Sequence, residues 1–147
     1  MTFTTGFVSG YEDGRIENVG TLNLNSEIGN IGGGFTRYGS TDVVPKFVNT
    51  GTVRKTVTTG TSATSSVGWA VDNDGSVRSG VGTLAFTGGS IAGSRSDGEW
   101  KGMAPAAQVE LRGGSWSLGS GVVLDGNIGI GGSVSVRDVQ GVGAAVR

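Results

Sequence analysis

The stretch Asp74-Gly75-Ser76-Val77-Arg78-Ser79-Gly80-Val81-Gly82-Thr83-Leu84-Ala85-Phe86 decides the fold, because an earlier stretch repeats its pattern. Asp13-Gly14-Arg15-Ile16-Glu17-Asn18-Val19-Gly20-Thr21-Leu22-Asn23-Leu24 has the same order, Asp-Gly-x-(Ile/Val) and then Val-Gly-Thr-Leu-x-(Leu/Phe). The second copy carries one extra residue, an insertion that stacked coils tolerate at a turn. The punctuation recurs at Asn49-Thr50-Gly51-Thr52-Val53, Asp97-Gly98-Glu99-Trp100 and Asp125-Gly126-Asn127-Ile128. Its Gly-to-Gly gaps are 37, 24, 23 and 28 residues. Gaps in the twenties fit one coil of a β-solenoid, whose repeats bury their apolar side only by stacking on neighbours. The expectation is an elongated scaffold, a right-handed parallel β-helix of about six coils, rather than a globule around a pocket.

Away from the turns the chain alternates with the period of strands. Short runs at Arg15–Val19, Thr21–Leu24, Thr83–Phe86, Gln108–Arg112, Ser115–Leu118 and Ser133–Val136 are bounded by Gly, Ser and Asp, as short strands joined by turns are. A period of 2 sends alternate side chains to one side. The predicted inward set is Leu22, Leu24, Val53, Val77, Leu84, Phe86, Val109, Leu111, Trp116, Leu118, Val134 and Val136. Asn23, Glu110, Ser117 and Ser135 are the predicted wet neighbours. Gly88-Gly89, Gly113-Gly114 and Gly131-Gly132 mark corners, and Pro105 makes a corner of Met103–Gln108. A β-sandwich with Greek-key connections is the alternative fold, since short strands and glycine turns suit it as well.

Composition narrows the class. Glycine supplies 30 of 147 residues and proline only 2, about three times the usual glycine share of roughly 7%. No strict Gly-x-y period exists, which excludes collagen. Evenly spread apolar residues, 35% of the chain, argue against disorder, so the glycines are assigned to tight turns where positive φ is needed. With 11 basic and 12 acidic residues and no basic block, the footprint of a nucleic-acid binder is missing. There is no cysteine and no histidine. That removes disulfides, thiolate metal sites and the commonest general base. No apolar run approaches the ~18–20 residues of a membrane-spanning helix, and Met1–Gly6 shows no leader pattern.

The run from Phe47-Val48-Asn49-Thr50-Gly51-Thr52-Val53-Arg54-Lys55-Thr56 through Thr59-Gly60-Thr61-Ser62 to Asn73-Asp74-Gly75-Ser76-Val77 and Gly82-Thr83-Leu84-Ala85-Phe86-Thr87-Gly88-Gly89 resembles the repeats of large bacterial surface and autotransporter-type adhesins. Those repeats read N-x-G-T-V/L-x-K-T, G-T-S, N-N-x-G-T-V and S-G-T-L-x-L-x-G-G. Ala104–Val122 is similar to their next coils, so the resemblance covers roughly residues 47–137. It implies a parallel β-helix displayed outside the cell. Residues 1–46 are assigned to N-terminal coils or a cap containing Phe3 and Phe7, and 47–147 to the repeat region, in one continuous domain.

Some parallel β-helices cleave polysaccharides, which makes the carboxylates candidates for catalysis. A glycosidase needs two carboxyl groups roughly 5–9.5 Å apart, and neighbouring coils lie about 4.8 Å apart. Asp72, Asp74 and Asp97 are the candidates, with Arg78 or Arg95 beside them. The competing assignment is structural, because Asp before Gly is the ordinary turn pair. Asp72-Asn73-Asp74-Gly75 matches the centre of an EF-hand loop but lacks its first acidic position and its later Glu. Trp69, Trp100 and Trp116 would form a sugar-stacking platform if exposed, but Trp116 and Trp100 fall at inward positions and only Trp69 is uncommitted. Thr56–Ser66 is assigned to a polar turn and an outer strand rather than an ice-binding array or a glycosylated tract. Gly29–Gly34 lacks the Lys-Ser/Thr of a phosphate loop. A Ser-Lys pair would need Lys46, Lys55 or Lys101, each expected in a wet segment.

No catalytic, cofactor or metal-binding residue is therefore assigned, and no enzyme activity is expected. The leading expectation is a rigid spacer or display scaffold of a bacterial cell-surface adhesin or passenger domain. One alternative is a phage virion component (tail, spike or head decoration), which Met1, the missing leader and the absence of Cys and His would suit. Another is a polysaccharide-binding or -cleaving β-helix. Expected partners are further repeats or another chain on the C-terminal end, where Gly141–Val146 is a poor cap for open strand edges. A surface glycan and a second copy of the chain also fit, whereas nucleic acid and membrane insertion do not.

Overall fold

Four-residue apolar alternations separated by Gly, Asn and Ser leave room for strands and little else. The computed structural model describes residues 1–3, 7–25, 33–37, 43–56, 64–103, 105–131, 133–136 and 145–146. Among these residues there is no helix, and every strand pairing is parallel. Parallel neighbours cannot be joined by hairpins, so the Greek-key sandwich is excluded and the chain winds in a solenoid-like manner.

Three ladders run side by side. The first contains β1 (Thr2–Phe3), β4 (Thr21–Leu24), β7 (Thr52–Lys55), β10 (Ser76–Ser79), β12 (Glu99–Gly102) and the first half of β15 (Val123–Ile130). The second contains β2 (Phe7–Gly10), β5 (Gly33–Arg37), β8 (Thr64–Val67), β11 (Thr83–Phe86), β13 (Gln108–Leu111), the second half of β15, and β17 (Ala145–Val146). The third opens with β3 (Arg15–Asn18), β6 (Lys46–Asn49) and β9 (Ala70–Asn73) and closes with β14 (Ser115–Leu118) and β16 (Ser133–Val136). Between β9 and β14 only two bridges, Val71–Ser90 and Ser96–Leu118, carry it on. The ladders pass without a break from residues 1–46 into 47–147, since β4 pairs β7 and β3 pairs β6. In β15 a single strand serves two ladders by bending at Gly126, whose φ is +71°.

Strict register stacks like side chains into rows. Leu22, Val53, Val77, Trp100 and Leu124 follow one another down the first ladder. Phe35, Val67, Phe86 and Leu111 do so down the second, with Leu84, Val109 and Ile128 beside them. All are buried. Aromatic rings tie the rows together edge to face: Phe35–Phe47 at 5.1 Å, Phe86–Trp100 at 5.0 Å and Trp100–Trp116 at 6.0 Å between centroids, a favoured geometry for such pairs. The inward set is as expected wherever its side chains are described; those of Val134, Val136, Phe3 and Phe7, and that of Ser135, lie outside the described residues.

The repeat itself is corrected in phase. Ile16 and Leu22 of the first copy lie on the third and first ladders, whereas Val77 and Leu84 of the second lie on the first and second. The repeated unit is thus a strand, a corner and a strand, out of step by one ladder, and not a whole coil. Gly20, Gly51, Gly75 and Gly98 are the stacked turn glycines; Gly14 precedes β3 and Gly126 lies inside β15. Their reason is also different from the expected one. Gly51, Gly75 and Gly98 do not have positive φ. A Cβ on Gly51, Gly75 or Gly98 would lie 2.2, 2.1 or 2.2 Å from the carbonyl oxygen of the turn one coil before. Close approach between coils dictates glycine there, while Gly89, Gly113 and Gly114 at the corners do take positive φ.

Candidate functional site

Asp74 and Asp97 occupy equivalent turn positions on successive coils, two residues before the paired Ser76 and Glu99. The Asp97 amide donates to Asp74 Oδ1 at 3.3 Å, and Asp97 Oδ1 accepts the Gly121 amide at 2.9 Å. Each carboxylate is spent on the backbone of the next turn. Arg78 does not join them, because its guanidinium pairs with Glu99 at 2.8 Å. Among the described residues no group of three or more His, Cys, Asp or Glu could hold a metal ion.

Inside the same turns runs a ladder of amides. Asn18 Nδ2 donates to Asn49 Oδ1 at 2.7 Å, and Asn49 Nδ2 to Asn73 Oδ1 at 2.7 Å. Asn73 Nδ2 then reaches the Glu99 carbonyl at 3.2 Å. Asn49 and Asn73 are fully buried, and burial of so polar a group is tolerated only with partners. One coil on, Ser96 takes the place of asparagine, its Oγ accepting the Asn73 backbone N–H at 3.0 Å. The sequence placed Asn49 and Asn73 with the turns and Asn18 in a short strand, and pointed none of them inward. Their inward direction follows from the register, which one strand alone does not reveal.

Asp72 faces outward on β9 beside this turn. Burial, with the nearby Asp74 charge, pushes its carboxyl above the usual range, against a Ser94 hydrogen bond and the Arg15 charge, while Asp97 adds to the rise. Its Oδ1 is buried without a hydrogen-bond partner. The neighbouring groove, about 560 Å³ and open, lies where the third ladder lacks a strand, and is lined by Ser90, Ser94, Arg95, Ser115, Trp116 and Ser117. None of Asp72, Asp74 and Asp97 lines it. Ser90 fills in for the missing strand, its Oγ accepting the Ser117 amide at 2.9 Å.

No family of proteins, no curated protein and no solved structure matches this chain.

Trp100 and Trp116 lie inward, as their strand positions predict, and Trp69 joins them. Trp69, Trp100 and Trp116 are all core residues, 2%, 0% and 1% exposed, and none of the three indoles offers a sugar a flat face. Trp69 sits at the corner between β8 and β9, where alternation gives no signal; its indole lies against Gly10, where a Cβ would come within 2.4 Å of it. Lys55 is a second correction. It is fully buried, not wet, and donates to Ser65 Oγ at 3.0 Å. Ser65 is buried as well, so this Ser-Lys contact lies inside the winding. Residues 57–63 of the threonine-rich stretch and residues 29–32 of the glycine-rich one lie outside the described residues.

Proposed function

We propose that this chain is a right-handed parallel β-helix of about six coils that acts as a rigid spacer or display scaffold at a bacterial cell surface, in the manner of an adhesin or passenger domain. The observation that carries the reading is the register: parallel ladders in step from β4 to β15, with the candidate carboxylates absorbed into turns. Backbone hydrogen bonds then run along the axis, and load is shared by every ladder. Coils spaced about 4.8 Å apart give a rod roughly 25–30 Å long. The adhesin-like repeat pattern at residues 47–137 supports the surface location.

The exposed apolar residues of the first coil suit this role. Ile16, in the first strand of the third ladder, is only partly buried, and Met1, Tyr11 and Val19 in the same coil are exposed. A further coil, from the same polypeptide or another, covers such an end, and we assign the same arrangement to the C-terminal end. Antibodies against the folded chain are expected to label intact, unpermeabilised cells of the source organism. Signal only after lysis, or only on virus particles, would overturn the surface assignment and leave the rod to be placed elsewhere.

A further inference from the structure

On the outside of the first ladder, Asn23, Arg54, Arg78, Lys101 and Asp125 stand in one row, in register. Three cations about 4.8 Å apart repel one another, and the row deals with them unequally. Arg78 is bound by Glu99, whose carboxylate also accepts Ser76 Oγ at 2.6 Å. Burial pushes Glu99 upward, but hydrogen bonds from Ser76 and Arg78 and the charges of Arg78 and Lys101 hold it below the usual range. Lys101 pairs with Asp125. Arg54 has no carboxylate partner among the described residues; its Nε donates to the neutral Asn23 Oδ1 at 2.5 Å. Its side chain is exposed and opens on a cavity of about 320 Å³. Thr52, Thr56 and Arg78 contribute the polar part of the wall, and Val81 with Met103, 57% exposed, the apolar part.

We propose that this cavity binds a carboxylated sugar unit of an acidic glycan. The carboxylate lies on the free edge of the Arg54 guanidinium, which matches it in a two-pronged geometry. Thr52 and Thr56 meet ring hydroxyls, and Val81 and Met103 cover a C–H face. A guanidinium without a carboxylate partner, two hydroxyls and an apolar wall suit a sugar acid better than an acidic peptide, because the ladder interior offers no open strand edge for a peptide backbone to join. The inference adds a ligand to the scaffold reading. The rod stands without it, and loss of binding with the winding intact would refute the glycan alone.

The test is amide-resolved NMR titration of the whole 147-residue chain with tri-galacturonate, with neutral tri-galactoside and inorganic phosphate as comparisons. Tri-galacturonate is expected to move the signals of Arg54, Arg78, Val81 and Met103 and to lose effect as salt rises. Arg54→Gln should weaken it at least ~10-fold and Met103→Ala about 3-fold, while Arg112→Gln, just past the second ladder's β13, leaves it unchanged. All three sites are exposed, and an unchanged spectrum of each free variant verifies its fold. Equal shifts with phosphate would reduce the site to an unspecific anion contact and overturn the glycan. No shifts with tri-galacturonate, or full binding by Arg54→Gln, would overturn the proposal as well.

Discussion

The same inward row of the third ladder is built from amides at one end and hydrocarbon at the other. Asn18, Asn49 and Asn73 lead to Ser96, and Ser96 is followed by Leu118, paired in turn with Val136. Where the turn between the third and first ladders is a tight pair, as in Val19-Gly20 and Thr50-Gly51, the asparagine before it bonds the glycine carbonyl of the turn and a strand carbonyl one coil on, and Asn73, before Asp74-Gly75, bonds the strand one coil on. After Leu118 the turn lengthens to residues 119–122, and the Asp97 carboxylate reaches in from outside to hold the Gly121 amide. Once the turn is served from outside, the inward position is free for leucine. A buried polar ladder here is a consequence of turn length, and it holds neighbouring coils in one register, because each amide needs the next.

That contrast can be broken most severely in the middle of the amide row. Asn49→Leu leaves the buried Asn73 Oδ1 without its donor, while Asn18 Nδ2 keeps the Thr52 and Gly20 carbonyls; at ~1–3 kcal/mol for a buried group left without a partner, a loss of about 3 kcal/mol is expected in urea unfolding. The reverse exchange, Leu118→Asn, should also cost about 3 kcal/mol, because no amide neighbour awaits it. Gly75→Ala tests the close stacking of the tight turns and is expected to cost about 2–3 kcal/mol, in the range of overpacking, since its Cβ would meet the Gly51 carbonyl. Gly131→Ala, with nothing within 4 Å of the added carbon, should differ little from wild type. Asp97→Ala removes the external support of the long turn and should cost about 1 kcal/mol, the typical worth of a hydrogen bond to such a turn.

The smallest effect has the opposite sign. The folded-state pKa of Asp72 is raised above 3.8, its ordinary value. The neutral form is thus the favoured one in the fold, and its contribution is complete below the ordinary value and lost as pH rises through the folded pKa. Asp72→Asn should therefore raise the melting temperature slightly near neutral pH and leave it unchanged in acid below that ordinary value. Equal melting shifts under both conditions would show that its charge is not what strains the turn.

Much of the winding is legible in the residues, because inward positions alternate strictly in Thr21–Leu24, Gln108–Leu111 and Ser115–Leu118. Phase is harder to read. The strand–corner–strand unit occurs at more than one place in a coil, so Asp13-Gly14 and Asp74-Gly75 look equivalent while starting on different ladders. Lys55 and Trp69 escape for a related reason: one is a charged residue at an inward position, the other sits at a corner outside any alternation. The cation row is invisible until register aligns Arg54, Arg78 and Lys101, which are 24 and 23 residues apart.

The central claim is that successive coils hold one fixed register along a stiff axis. The chain has no cysteine, so Thr21→Cys with Val123→Cys gives two clean spin-label sites on the outward row Thr21, Thr52, Ser76, Glu99 and Val123. Four strand spacings separate them, about 19 Å. Pulsed electron-electron distance measurement should return one narrow distribution near that backbone separation, allowing for the label arms. A broad distribution, or one centred far from that value, would contradict the rod.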